Sequence, residues 1–361
     1  MPANNERLSR IKYLDIAKAI GIILVVIGHI EKNHLAESVS KFIFSFHMPL
    51  FFILSGIVIN MKREEKEDFK LLSRKKIKAL MVPYLWFSLI FIVVDVVQLL
   101  LGYASWDEVT DVLVATITLY ADSTLWFLPA LLIAELLFIF IKKKLNKYTY
   151  PIIILLAAAA YGIEQLLPIT EKSDGIVPSV LLLIICNLLR VILRGMISSL
   201  FVLAGFALWT ILPKSEVKMI NRCLLMIVGI VLLGLTYFIS EMNTLVDLRR
   251  IEFGNVSLFL VTATAGSIGV ILIAISIWAL KPLEFIGRNT LIIMASHLNF
   301  YILFAGMQFG LWVNNYINHM KSYIFIVNVL IVVFAIECIL IFIIRKFAPF
   351  IIGQKYEDKK V

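Results

Sequence analysis

The sequence is poor in charge and in cysteine. Only 16% of its 361 residues are charged, whereas soluble domains keep about 25% of theirs charged. Its three cysteines, Cys186, Cys223 and Cys338, lie in apolar sequence without the spacing of metal ligands, so we expect neither a metal site nor a disulfide framework. Walker-type phosphate loops and Gly-rich dinucleotide turns are missing as well. These absences exclude the common soluble nucleotide-binding folds and a disulfide-stabilised secreted domain.

Long hydrophobic runs dominate the sequence instead. Hydrophobic residues make up 61% of the chain, and the mean hydropathy is +0.94. The runs are continuous and do not alternate with period two, which favours membrane-spanning helices over a barrel. A span needs about 20 mostly apolar residues, so the chain has room for about ten. We therefore predict an all-α polytopic membrane protein whose residues 1–361 form a single domain. The predicted spans are 13–31, 42–61, 79–102, 124–141, 149–167, 192–212, 223–240, 256–280, 289–306 and 322–345.

One segment, residues 176–191, allows two interpretations. It is either a re-entrant or interfacial helix that leads into the sixth span, or a full span that inverts the topology of everything downstream. The first apolar stretch raises a separate question, because it has a basic flank like a signal peptide. No small-x-small cleavage site follows it, so we expect an uncleaved first span.

The distribution of Lys and Arg predicts the orientation. Most of the 34 basic residues fall in segments that are cytoplasmic if the N-terminus is inside, and the positive-inside rule favours that arrangement. It predicts cytoplasmic tails at 1–12 and 346–361 in a multi-pass protein that contacts membrane lipids. The net charge of +9 is then a topology signal, and no nucleic-acid partner is expected.

Polar residues in the first span are the strongest candidates for chemistry, because such residues are costly in a membrane. Lys18 and His29 are eleven residues apart, or about three helical turns, so both project from one face, roughly 16 Å apart along the axis. Asp15 precedes Lys18 by one turn and is placed to pair with it. The alternative is that Lys18 only reaches the inner headgroups and His29 only caps the outer end.

A second polar stretch opens the second predicted span. His47 and Pro49 come at its start, where proline is tolerated in the first helical turn. Ser55 and Gly56 permit close approach of another helix. Further along the chain, Asp95, Glu135 and Glu337 interrupt apolar runs, and we expect each to pair inside the helical bundle.

These residues together resemble the membrane-bound acyltransferase-3 family. The most specific elements are Leu14-Asp15, a basic residue upstream of Gly28-His29, and the stretch from Phe46 to Gly56 that reads Phe-His-Met-Pro-Leu-Phe-Phe-x-Leu-Ser-Gly. The similarity continues in the basic stretch that leads to Pro83-Tyr84, in Trp126-Phe127-Leu128, and in Gly287-Arg288-Asn289-Thr290-Leu291 followed by His297. The most similar subgroup is that of the fucose 4-O-acetylase-like membrane acetyltransferases.

The resemblance implies an integral-membrane O-acyltransferase. Such an enzyme moves an acyl group, usually acetyl, from cytoplasmic acyl-CoA to a sugar hydroxyl of a cell-surface or lipid-linked polysaccharide. His29 would be the catalytic base or an acyl carrier, with Asp15 in support, since an imidazole with a pKa of about 6.5 suits proton transfer at neutral pH. Acyl-CoA would be a substrate, and no permanently bound cofactor is implied. The basic residues expected at its phosphates are Lys18, Arg74, Lys75, Lys76 and Lys78.

The basic stretch departs from the family pattern, because Ala79 stands where a second Arg often occurs. Which of the four basic residues before it holds phosphate therefore stays open. Six further residues would either bind the acceptor or stabilise the bundle: His47, Ser55, Trp126, Asn289, Thr290 and His297. Among these, Trp126, Asn289 and Thr290 are also candidate oxyanion donors.

Two other classes of function remain as alternatives. A transporter for a lipid-linked glycan also needs many spans and buried charge, but transporters often show paired repeats or broken helices, and neither is evident in the sequence. A non-enzymatic membrane scaffold would not depend on Lys18 or His29.

Overall fold

The structure, a computed structural model, describes residues 10–30, 35–121, 124–167, 180–316 and 322–354. This described part is built of helices, as predicted. The α-helices are α1 (Lys12–Gly28), α2 (Glu37–Phe44), α3 (His47–Lys62), α4 (Phe69–Leu100), α5 (Trp106–Ile117), α6 (Phe127–Leu145), α7 (Thr149–Glu164), α8 (Val180–Leu208), α9 (Met219–Glu241), α10 (Val256–Ile277), α11 (Lys281–Arg288), α12 (Thr290–Ser296), α13 (Ile302–Tyr316) and α14 (Ser322–Phe347). Short 3₁₀ turns occur at Glu64–Lys66, Asn146–Tyr148 and Pro349–Ile352.

Six helical stretches within the described residues are long and apolar enough to cross a membrane. They are Glu37–Lys62, Phe69–Leu100, Leu181–Leu208, Met219–Glu241, Val256–Ile277 and Ser322–Phe347. The chain is therefore a multi-pass helical membrane protein. The count of ten spans and the cytoplasmic location of both termini stay predictions, and most of the tails themselves, 1–9 and 355–361, lies outside the described residues.

The segment that allowed two interpretations belongs to α8. This helix begins at Val180 and continues without interruption to Leu208, so residues 180–191 run directly into the sixth span predicted at 192–212, and 176–179 lie outside the described residues. Arg190 does not end the helix, because its guanidinium Nε lies 2.8 Å from a carboxylate oxygen of Glu164 on α7. A compensated charge of this kind can stay within a bundle.

The predicted ninth span, 289–306, is wrong as one continuous helix. It is divided into α12 and the first part of α13, with a break over residues 297–301. Tyr301 has a left-handed φ of 56°, and the amide of Leu303 donates to the carbonyl of His297 at 2.8 Å. This bond satisfies a backbone group that the break would otherwise leave unpaired inside the bundle.

The second predicted span has a similar division near its beginning. α2 ends at Phe44, and α3 begins at His47 with Pro49 in its first turn, which confirms the position predicted for the proline. Further along α3, the close approach expected at Ser55-Gly56 is confirmed, because a Cβ added at Gly56 would overlap the carbonyl oxygen of Val202 on α8. A Cβ at Gly205 of α8 would likewise overlap the carbonyl oxygen of Ile53. The two helices thus cross backbone to backbone.

Helix α1 lies at the centre of the bundle. It packs against α2, α3, α10, α11, α12 and α14, and most of its side chains from Tyr13 to Val26 are buried. The face that these neighbours leave uncovered borders a cavity, and this central position explains how one helix can present both Lys18 and His29 to that cavity.

Candidate active site

A cavity of about 590 Å³ lies between α1, α3, α4, α6 and α12. The volume is within the range of pockets that bind small molecules, and most of the lining is apolar. The lining residues that carry hydroxyl, imidazole or charged groups are Lys18, His29, His47, Ser55, Thr124, Glu135, Asp247, Arg249 and Thr290. The cavity thus combines an apolar body with a small number of polar groups.

Lys18 and His29 both line this cavity, which confirms that they share one face of the first helix. They lie roughly 16 Å apart along the axis of α1, so they mark its two ends. Among the residues that the structure describes, no carboxylate makes an ion pair with the Lys18 ammonium. A cation without a partner in an apolar cavity is a ready site for a negatively charged or strongly polar ligand group.

The hydrogen bond of His29 fixes its tautomer. Nδ1 lies 2.7 Å from the carbonyl oxygen of Val25, and because a carbonyl can only accept, Nδ1 carries the proton. The neutral ring therefore has its lone pair on Nε2. An imidazole oriented in this way by a backbone carbonyl can act as a general base through Nε2.

Two further histidines surround His29. Both His47 and His297 also donate Nδ1–H to the carbonyl four residues earlier, each at 2.8 Å. The rings of His29 and His297 meet edge to face with 5.2 Å between centroids, and Phe44 lies between His29 and His47, at 6.1 and 5.0 Å. His297 is fully buried. Across the described residues, no group of three or more His, Cys, Asp or Glu side chains is arranged to hold a metal ion.

At the Lys18 end of the cavity, a chain of polar contacts joins α3, α6 and α4. Ser55 donates to Glu135, and the ammonium of Lys76 lies 3.0 Å from Glu135 and 2.7 Å from Glu64. The expected pairing of Glu135 within the bundle is confirmed. Lys76 is held by two carboxylates here, so this arrangement disfavours the phosphate-binding role predicted for it.

The other basic residues of α4 do not join Lys18. Leu80, one turn after Lys76, lines the cavity, whereas Arg74 and Lys78 are each two residues from Lys76 and project from roughly the opposite side of the helix. Both are exposed. Lys75 is exposed as well, and its ammonium lies 2.9 Å from Glu67. The structure therefore does not assemble the predicted basic set around the cavity.

Asp15 has partners other than the predicted one. Its carboxylate accepts from Arg10 Nε at 2.6 Å and from Arg10 Nη2 at 3.0 Å, and Arg288 Nε lies 3.4 Å away. The two arginines occupy the carboxylate, so the pairing predicted with Lys18 is not a direct ion pair, although the charge of Asp15 still acts on Lys18. Asp15 does not line the cavity, so its position supports packing of α11 on α1 rather than direct catalysis.

The three candidate oxyanion donors separate into two groups. Trp126 and Thr290 line the cavity. Asn289 does not, because its amide nitrogen donates to the carbonyl of Phe285 at 2.7 Å and its amide oxygen accepts from Arg345 at 2.6 Å. Asn289 therefore connects α11 to α14, and only the other two face the space where a substrate would lie.

The loop between α9 and α10, residues 242–255, contributes residues to the cavity that the sequence interpretation missed. We call it the clasped loop. Asp247 and Arg249 line the cavity together with His29. The loop is closed at its base by Asn243, whose side chain donates to the carbonyl of Phe253 at 3.0 Å and accepts from the amide of Asn255 at 2.8 Å. Nothing in the spacing of a polar loop indicates that it folds back over a cavity.

Behind the cavity wall, a buried hydrogen-bonded pair confirms that Glu337 has a partner inside the helical bundle. Glu337 of α14 accepts hydrogen bonds from the hydroxyl of Ser296, at 2.7 and 2.9 Å, and is fully buried. This contact fixes α12 next to α14 immediately before His297. The carboxylate thus supports the histidine's position without touching the cavity.

Comparison with known proteins agrees with this geometry. The sequence model of the acyltransferase-3 family, described as an acyltransferase domain, matches residues 11–344. No curated protein sequence matches the chain. The family match covers nearly the whole chain and includes every element of the cavity described above. The chain belongs to the acyltransferase-3 family, a family of membrane acyltransferases.

Proposed function

We propose that the protein transfers an acyl group, acetyl by default, from cytoplasmic acyl-CoA to a sugar hydroxyl of a surface or lipid-linked polysaccharide. The observation that carries this proposal is the cavity that joins Lys18, a cation with no ion-pair partner among the described residues, to an oriented imidazole, His29. Acyl-CoA is anionic at its nucleotide end and carries its thioester on a long flexible arm. A cavity with a cation at one end and a base roughly 16 Å along the helix suits such a donor.

In the proposed reaction, His29 Nε2 takes the proton of the sugar hydroxyl as its oxygen attacks the thioester carbonyl. The resulting tetrahedral intermediate collapses, the carbon–sulfur bond breaks, and the imidazolium returns its proton to the departing thiolate. The products are the sugar ester and free CoA. A covalent acyl-His intermediate is the alternative sequence, in which the same nitrogen first carries the acyl group.

Several groups in or next to the cavity are placed to support this transfer. The Trp126 indole N–H is the donor available to a developing oxyanion, whereas Thr290 lines the cavity nearer its Lys18 end. His297 contacts His29 edge to face and would hold its ring in position. We assign His47 and Ser55 to the walls of the cavity, since His47 is buried behind Phe44 and Ser55 is engaged by Glu135.

The acceptor would approach His29 from the end that the clasped loop covers. Asp247 and Arg249 line that end, and carboxylate and guanidinium groups are common hydrogen-bonding partners of sugar hydroxyls. With the N-terminus in the cytoplasm and ten spans, this end would face outward in the bacterial cytoplasmic membrane. The acyl group would then cross the membrane within the cavity. We also propose that the protein belongs to the subgroup of fucose 4-O-acetylase-like membrane acetyltransferases.

The experiment uses the protein in lipid nanodiscs with isotope-labelled acetyl-CoA and a cell-envelope glycan extract. Wild type is expected to form alkali-labile labelled glycan esters and release CoA, His29→Ala is expected to lose this activity, and Lys18→Ala is expected to lose most of it at donor concentrations below KM. Lys144→Ala, which removes an exposed lysine at the end of α6, is the matched control for Lys18→Ala. Equal labelling by wild type and His29→Ala would refute the catalytic assignment. Glycan movement without any labelled ester would favour the transporter.

A further inference from the structure

Three arginines from distant parts of the chain meet where α1, α11 and α14 come together. Arg10 donates two hydrogen bonds to the carboxylate of Asp15. Arg288 also contacts that carboxylate through Nε, and its Nη2 lies 3.0 Å from Glu284. Arg345 lies beside them, and the charges of both other arginines act on it. We call Arg10, Arg288 and Arg345 the arginine cluster.

Among the described residues, the arginine cluster has more positive charge than its neighbours compensate. Two carboxylates, those of Asp15 and Glu284, form the ion pairs of Arg10 and Arg288. The guanidinium of Arg345 instead donates to neutral oxygens, from Nε to the side chain of Asn289 at 2.6 Å and from Nη2 to the carbonyl of Arg288 at 3.4 Å. Like charges repel each other when they converge, so the group is one positive charge in excess and is suited to receive an anion.

The position of the cluster relates it to the cavity. Asp15 precedes Lys18 by one turn of α1, or about 4.5 Å along the axis, and Asn289 directly precedes Thr290, which lines the cavity. The cluster thus lies just beyond the Lys18 end. Its donors are accessible, because the side chains of Arg10 and Arg288 are 57% and 43% exposed.

We propose that the arginine cluster binds the phosphate groups at the nucleotide end of the acyl donor. This inference rests on the proposed function, since it assumes an acyl-CoA donor. Guanidinium groups bind phosphate through paired N–H donors, which an ammonium does not offer. The cluster replaces the basic residues at the start of α4, where Lys76 is held by two carboxylates and the others face away from the cavity. The acyl arm then extends past Lys18 toward His29.

The phosphate of an anionic lipid headgroup offers the same chemistry as the phosphates of acyl-CoA. The two sources are distinguished by measuring donor affinity in nanodiscs of purely zwitterionic lipid and again in nanodiscs that contain an anionic phospholipid. If the cluster binds acyl-CoA, the affinity of wild type for acetyl-CoA stays high without anionic lipid, and substitution of the cluster lowers it there.

The test compares two donors that reach the same cavity, acetyl-CoA and S-acetylpantetheine, which lacks the nucleotide and its phosphates. In zwitterionic nanodiscs, Arg345→Gln is expected to weaken acetyl-CoA binding about tenfold or more, the size of one charge-assisted hydrogen bond, and to leave S-acetylpantetheine binding unchanged. Arg345→Lys, which keeps the charge without the fork, should fall between Arg345→Gln and wild type. Arg222→Gln is the control, because Arg222 lies away from the cluster and also donates to neutral oxygens, the backbone carbonyls at 2.7 and 2.9 Å, in addition to its 3.2 Å contact with Glu216.

Each remaining outcome decides against the inference. If Arg345→Gln weakens the binding of acetyl-CoA and of S-acetylpantetheine equally, Arg345 acts in helix packing and does not bind phosphate. An effect that appears only with anionic lipid would assign the cluster to headgroups. If Arg74→Gln weakens acetyl-CoA binding and Arg345→Gln does not, the phosphates bind at α4 instead of at the arginine cluster. The proposed function fails in a distinguishable way, because wild type would then not prefer acetyl-CoA to S-acetylpantetheine and would acylate no glycan.

Discussion

The imidazole rings of His29 and His297 lie edge to face, with 5.2 Å between their centroids. Each ring donates its Nδ1–H to a carbonyl of its own helix, so neither ring can reorient without losing a hydrogen bond. Their contact joins the end of α1 to the break that follows α12. The base proposed for catalysis is therefore held by a second histidine that itself does not line the cavity.

This contact predicts the effect of His297→Gln. A glutamine can keep a hydrogen bond to the carbonyl of Ile293 but cannot replace the edge-to-face contact, so His29 loses its lateral support. We expect kcat to fall about tenfold or more, since misplaced proton transfer loses part of the 10²–10⁴-fold contribution of a general base. KM for acetyl-CoA should stay unchanged. The control is His47→Gln, whose ring reaches His29 only through Phe44. Equal losses of kcat in both variants would argue against a positioning role for His297.

Lys18 is expected to act on donor binding more than on the chemical step. Lys18→Met keeps the length of the side chain but removes the charge from the end of the cavity. We expect a KM for acetyl-CoA at least about tenfold above that of wild type, on the scale of a charge-assisted hydrogen bond, with a smaller change in kcat. Lys18→Arg should preserve most of the affinity. Steady-state kinetics over a range of donor concentrations measures both constants, and a loss confined to kcat would count against this role.

The Lys76 ion-pair network predicts an asymmetry in stability. Lys76→Met leaves Glu64 and Glu135 without their shared cation, and breaking a buried pair costs about 3–5 kcal/mol. Glu135→Gln should lower the free energy of unfolding by less, because Lys76 keeps its ion pair with Glu64 at 2.7 Å. Thermal unfolding of the purified protein in one detergent compares them. The double variant should be less destabilised than the sum of the two single variants, and strict additivity would show that the groups do not interact.

The backbone crossing of α3 and α8 predicts that Gly205→Val will unfold or strongly destabilise the protein. The new side chain would overlap the carbonyl of Ile53, and backbone atoms cannot move aside as a flexible side chain can. The control is Gly234→Ala on α9, where an added Cβ meets nothing within 4 Å and where alanine is the better helix former by about 1 kcal/mol. Membrane-inserted yield and thermal midpoint measure both variants. A Gly205→Val protein as stable as wild type would refute the close crossing.

The features predicted well from the sequence depend on local periodicity. Lys18 and His29 share a face because the helical repeat alone determines their relative direction. Ser55-Gly56 and Pro49 were placed correctly for the same reason, since small residues and an early proline have defined roles within one helix. Such predictions need no knowledge of which helices are neighbours.

The features that were missed depend on contacts between distant segments. Arg288 and Arg345 reach the start of α1 from the far end of the sequence, and no spacing rule relates them to Arg10. Asp15 was assigned to Lys18, its neighbour on the helix, because the competing arginine of α11 is invisible without tertiary structure. The break at 297–301 carries no Gly or Pro to mark it in the sequence, and only the backbone shows the interruption.

The glycine crossing also determines where the protein is stiff. α3 carries His47 and Ser55 along the cavity, and its backbone lies directly against that of α8, so separating the two would lose close contact along the whole crossing. Helix α4, on the other side of the cavity, is joined to α6 and to the turn after α3 by the Lys76 ion pairs, and much of its surface faces outward. The wall of the cavity that carries His47 therefore rests on backbone packing, whereas the wall formed by α4 is held through side-chain ion pairs.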